Sequence, residues 1–293
     1  MVEAIAYKIY HCSTNLKLMS PAPLKASSLS SFLKKSLHDS FRSVILPISF
    51  SSIEEPTLED LQQQAIIWRF FSGSCLEQNY VLVPIEDPFF KKDEASQLFQ
   101  ERIEEESIFR LRDIFGQSID PSSFHMIGSS LLVLKDDTTF VDNKFYYESI
   151  SQFITQSFNL REDAYRSIDR YQVVFDYEGI GAIAFGRDDV QKVDRAIFLW
   201  TLARAYLTAL EAMTVGLADI MPEEQTSKIN QLIKRYYHFL IRYYYSSPMH
   251  VNENKAYYIY SLIKETFKLK QQYEESKEKL RLLALLISNI HEN

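Results

Sequence analysis

Four carboxylates lie close together around one short stretch of the chain. Asp176 and Glu178 precede Ile180–Phe185, and Asp188 and Asp189 follow it. Oxygen ligands grouped in this way suit a hard divalent cation, and would also serve a metal-dependent enzyme whose remaining groups come from distant parts of the sequence. Turn chemistry is the competing reading. Asp176 and Glu178 flank Tyr177 at a probable hairpin, and Asp188-Asp189 stand just before an apolar helical run, where acids satisfy free backbone N–H groups.

Other residues with chemical potential are less organised. The six histidines, His11, His38, His125, His238, His250 and His291, show no HxxxH or HExxH spacing, so zinc has little support. Cys12 and Cys75 have no CxxC partner and read as free thiols of a cytoplasmic protein, with a single bridge between them as the alternative. The GxG in Glu178-Gly179-Ile180-Gly181 is followed by alternating residues rather than a helix, so it is a hairpin turn and not a dinucleotide cradle. Glu101, Glu104, Glu105 and Glu106 interleave with Arg102, Arg110 and Arg112 as on a solvated helix, with Glu106 and Arg110 at ion-pair spacing. No GxSxG or GxxxxGK[ST] occurs.

Basic groups are the third possibility. Lys34, Lys35 and Arg42 near the start, and Arg235 and Arg242 among Tyr236, Tyr237, His238, Phe239 and Tyr243–Tyr245, could contact nucleic acid through phosphates and ring stacking. Against this stands the charge distribution. Residues 1–50 carry six basic against two acidic residues, residues 51–189 twelve against twenty-six, and residues 190–293 fourteen against eleven. The acidic middle disfavours a phosphate backbone. The aromatic run also has Ile229, Leu232, Tyr236, Phe239 and Tyr243 at helical spacing, which assigns most rings to packing.

The elements that must position these groups follow from periodicity. Strands are expected at Ile5–Tyr10, Tyr80–Ile85, Phe124–Leu134, Thr138–Val141, Tyr171–Asp176 and Ile180–Phe185, and Ser43–Ile48 is a short apolar run. Helices are expected at Leu24–Leu37, Leu58–Phe71, Asp93–Phe115 and Tyr146–Phe158. Beyond Asp188 the pattern is wholly helical: Val190–Leu217, Glu223–Tyr245 and one long helix, Asn254–Ile290. The first of these is long enough to span a bilayer, but Thr201, Arg204, Thr208, Glu211 and Thr214 form a polar stripe, so it reads as a buried helix with no membrane span. The fold class is therefore α+β: a mixed α/β sheet region over residues 1–189, then a helical region over 190–293.

Within the last helix, Ile259, Leu262, Thr266, Leu269, Tyr273, Ser276, Leu280, Leu283, Ile287 and Ile290 occupy successive a and d positions. Eight of these ten are apolar, a coiled-coil-like seam fit either for packing within the chain or for self-association. The layout of residues 190–290, with Phe198–Leu207 opening a long helix and a heptad-bearing segment at the end, resembles the cytoplasmic part of CorA-like proteins. In those families an α/β domain precedes long helices. The resemblance implies oligomerisation or ligand-dependent regulation; transport is not implied, because no Gly-Met-Asn motif is present. The function expected is thus a non-enzymatic cytoplasmic scaffold or regulatory module, working through a homo-oligomer or a protein partner by Ile259, Leu262, Leu269, Tyr273, Leu280, Leu283, Ile287 and Ile290. No cofactor is expected unless the hairpin carboxylates take a divalent cation.

Overall fold

The computed structural model describes residues 2–12, 22–23, 32, 35–37, 45–49, 66–71, 73–90, 96–115, 120–134, 143–185, 187–218, 226–250 and 254–291. Its framework is a nine-stranded sheet: β1 (Val2–Cys12), β2 (Ala22–Pro23), β3 (Ile45–Ser49), β4 (Ile66–Phe70), β5 (Gln78–Phe90), β6 (Phe124–Leu134), β7 (Arg166–Ile168), β8 (Tyr171–Asp176) and β9 (Gly179–Ala184), in the order β2-β3-β4-β5-β1-β6-β9-β8-β7. Every pairing is antiparallel except β6 with β9. That parallel pair needs a crossover, which the helix α2 (Asn143–Thr155) supplies.

Strand alternation sends neighbouring residues to opposite faces. On one face Ala6, Tyr10, Val83, Leu131 and Val133 meet α1 (Ser96–Phe115) and α2 through Phe99, Ile103, Ile150 and Phe153. On the other, Tyr7, Ile9, Trp68, Phe70 and Leu132 meet α3 (Arg187–Ala218). Behind α3 lie α4 (Thr226–Arg242), α5 (Asn254–Thr266) and α6 (Leu269–His291). The α+β class expected from the sequence is the one observed. The hydrophobic core runs unbroken from Ile5 to Leu280, so it crosses the sequence boundary at residue 189.

Among the described residues one helix, Asp189–Ala218, is long and apolar enough to cross a membrane, and 78% of its most apolar window is buried inside the fold. Its polar stripe is used for packing: Thr208 accepts from the Tyr80 hydroxyl at 3.4 Å and Thr214 meets Ser276 at 2.9 Å. Gly216 lets α4 approach; a Cβ there would lie 2.3 Å from the Tyr236 hydroxyl.

Two expected helices are corrected. Residues 66–70 form β4 rather than the end of a helix, because Ile67 packs toward α1 while Trp68 and Phe70 pack toward α3. A strand buried on both faces shows no alternation of apolar with polar residues. The single helix expected over Asn254–Ile290 is broken at Phe267-Lys268, where Lys268 adopts φ 49°. Phe267 is fully buried against Trp200 and Tyr177, and the Tyr177 hydroxyl donates to its carbonyl at 3.2 Å; turning that ring inward ends the helical run. Strand β7 was not expected. The expected strand Thr138–Val141 and most of the helix Leu24–Leu37 lie outside the described residues.

Candidate functional site

The hairpin carboxylates do not converge. Asp176 accepts the Glu178 amide at 3.0 Å, closing the β8–β9 turn, and its carbonyl accepts the Trp200 indole N–H at 2.8 Å. Gly179 is obligatory there, since a Cβ would lie 1.6 Å from the Ser129 carbonyl oxygen. Asp189 sits at the opposite end of β9, buried in the first turn of α3 and paired with Lys192 at 2.5 Å. Six residues of strand, about 20 Å, separate the two ends. Asp188 opens the same helix, and its side chain lies outside the described residues. Among the described residues no group of three or more His, Cys, Asp or Glu is placed to hold a metal ion. Turn closure and helix-terminus pairing account for Asp176 and Asp189.

The described part of the C-terminal seam faces inward. Ile259, Leu269 and Leu280 are buried in the chain's own core, Leu262 and Leu283 are half-buried, and Tyr273 stacks on Tyr244 with ring centroids 4.2 Å apart. Ile259, Leu269 and Leu280, three of the positions expected to bind a second copy, thus pack within the chain. The side chains of Ile287 and Ile290 lie outside the described residues.

Neither cysteine is in a disulfide; Cys12 is buried and Cys75 exposed. Lys8, at the centre of the sheet, is buried under Phe153; its Nζ donates to Ser129 Oγ at 3.0 Å, and burial lowers its pKa. The neighbouring Tyr10 hydroxyl pairs with Ser107 at 2.5 Å. These polar groups satisfy one another inside the helix–sheet layer. On α3, Asp194 accepts the Tyr7 hydroxyl at 2.9 Å, and burial pushes its carboxyl up to about 6.

Among the basic residues, Lys34 and Arg42 lie outside the described residues and Lys35 is exposed. Arg235 and Arg242 share a distinctive surface. Ile229, Ile233, Tyr236, Phe239 and Leu240 bury one side of α4, while Lys234, Arg235, Tyr237, His238, Ile241 and Arg242 are exposed on the other. Ile241 is 81% exposed. Arg242 lies over the Tyr243 ring at 5.6 Å, and among the described residues no ion pair engages Lys234, Arg235 or Arg242. Residues 226–242 contain no Asp or Glu. Sequence reading found the cations but not the apolar exposure beside them, because Ile241 and Leu240 look equivalent until the helix is docked.

Compared with protein-family models, curated proteins and solved structures, the chain matches none of them.

Proposed function

We propose that the chain is a non-enzymatic cytoplasmic regulatory or scaffold module whose working surface is the outer face of α4, and whose partner is an acidic protein segment. The observation that carries this reading is the exposed Ile241 on the same outer side of α4 as the exposed Lys234, Arg235 and Arg242, on a helix with no acids. An apolar centre with a charged rim is the anatomy of a protein contact, and aromatic rings and arginine are enriched in such patches. Three cations without an ion pair among the described residues, on a helix that carries no acid, favour an acidic partner. The face is small and half apolar, which suits protein better than a phosphate backbone. Regulation by contact also agrees with what the CorA-like layout implies.

A defined probe tests this. Fluorescence anisotropy would follow a labelled amphipathic Glu/Leu helical peptide, with its Lys/Leu counterpart and a DNA duplex as controls. The acidic peptide is expected to bind, and Ile241→Glu or Arg235→Glu to weaken it at least about tenfold, or about 1.4 kcal/mol. No binding, or binding indifferent to both substitutions, overturns the reading. Tighter, salt-sensitive binding of the duplex would replace it with a nucleic-acid function. A dimer in light scattering that Ile241→Glu dissolves would assign the face to a second copy.

A further inference from the structure

A cavity of about 390 Å³ lies on the same side of the sheet as α3, between the first turns of α3, the β7–β8 turn and the start of α5. Its walls divide by chemistry. Phe32, Leu199 and Ile259 supply apolar lining, while Lys192, Arg195 and Lys255 bring three cations, Arg195 lying beside Phe32. The space is far larger than the roughly 30 Å³ share of one water and falls within the range of small-molecule sites.

Two of the three cations are neutralised locally. Lys192 is paired with Asp189, and Lys255 with Asp169. Arg195 differs. Its Nε is buried without a hydrogen-bond partner, no ion pair engages it among the described residues, and its guanidinium lies 5.4 Å from the Phe32 ring. The neighbouring Asp194 is drawn to the Tyr7 hydroxyl, and burial disfavours its charged form. A buried guanidinium donor left unsatisfied is costly, and a carboxylate accepts from that fork in a bidentate way.

Two further groups favour an anion at this end. Tyr171 is buried at the wall; burial first, then the Asp169 and Asp189 carboxylates that Lys255 and Lys192 pair, push its phenol up to about 12, so it remains a neutral hydroxyl donor. Lys255 and Ala256 belong to the first turn of α5, where free amides and the helix dipole add positive potential. The apolar lining of Phe32, Leu199 and Ile259 disfavours a polyphosphate, which has no apolar body to place there.

We infer that this pocket binds a small organic acid, its carboxylate held by Arg195 and its apolar body lying on Phe32, Leu199 and Ile259. The inference is independent of the α4 face. Octanoate is the probe, with octan-1-ol as its uncharged counterpart, followed by isothermal titration calorimetry on the full chain. Octanoate is expected to bind once per chain and at least tenfold more tightly than octan-1-ol. Arg195→Gln should remove that tenfold preference while leaving octan-1-ol binding unchanged, and Ala256→Leu should weaken both by filling the cavity. Thermal unfolding of both variants checks that they fold. Absence of octanoate binding at millimolar concentration, equal binding of acid and alcohol, or a preference that survives Arg195→Gln would overturn the inference.

Discussion

Helices α4 and α6 are both amphipathic and differ in how they treat their outer charges. Both bury one side against the same core, through Phe239 in α4 and Leu280 in α6, and both leave an aliphatic residue in solvent, Ile241 and Leu282. On α6 three of the four Lys and Arg residues are answered within the helix, Lys277 by Glu274, Lys279 by Glu275 and Arg281 by Glu278. On α4, among the described residues, Lys234, Arg235 and Arg242 have no such partners. Apolar exposure alone therefore does not mark a contact surface, since α6 shows it too. What distinguishes α4 is apolar exposure combined with charge that no ion pair among the described residues neutralises.

The sharpest way to break this comparison is to attack what the two helices share. Phe239→Ala and Leu280→Ala should each destabilise the fold by about 2–5 kcal/mol in urea unfolding, because both side chains are fully buried. A loss well under 1 kcal/mol for Phe239→Ala would mean that α4 is not part of the common core.

A second test contrasts charge turned outward with charge turned inward. Asp194 on α3 has a folded-state carboxyl raised to about 6 from an ordinary value of 3.8. Between those values the folded chain holds a proton that the unfolded chain has released. The associated stability is present below about pH 4 and is lost as pH rises through 6, by at most about 3 kcal/mol. Asp194→Asn should flatten that part of the stability profile, measured as a difference from the parent chain, whereas Lys279→Ala on α6 should leave it unchanged.

A third test separates the outer faces. Ile241→Glu and Leu282→Glu should each alter stability by no more than about 0.5 kcal/mol, as exposed substitutions do. Only Ile241→Glu should reduce binding of the acidic helical peptide, by tenfold or more. Equal losses from both would show that the pairing of charges on α6 makes no difference. The smallest effect concerns those pairs directly. Lys279→Ala should cost about 0.3–0.5 kcal/mol at low salt and nothing at high salt, while Arg242→Ala should be neutral for stability at both.

Legibility in the sequence tracked how local the cause was. The β8–β9 hairpin was readable because Gly179 and the flanking alternation act over a few residues. Strand β6 was readable because an apolar run of that length has few alternatives, and the Glu106–Arg110 pair, 2.9 Å in the structure, because helix geometry alone brings i and i+4 together. Residues 66–70 were misread for the opposite reason: burial on both faces of the sheet erased the period that identifies a strand. Of the candidate sites, sequence reading placed the cations of α4 on a helix and the hairpin acids at a turn. It had no means of finding the pocket, whose lining comes from residues 32, 168–171, 192–199 and 255–259.

Composition and periodicity by themselves determined an α+β protein with a buried central helix and a Gly179-Ile180-Gly181 stretch set at a hairpin turn, since each follows from residue type and short-range spacing. The tertiary structure alone decided that Ile259, Leu269 and Leu280 of the heptad seam pack inward, that the last helix breaks where Phe267 turns under Tyr177, and that Arg195 Nε has no hydrogen-bond partner among the described residues. Those outcomes depend on which side of each helix the sheet and α3 cover, and burial of that kind is a property of the packed chain rather than of any segment within it.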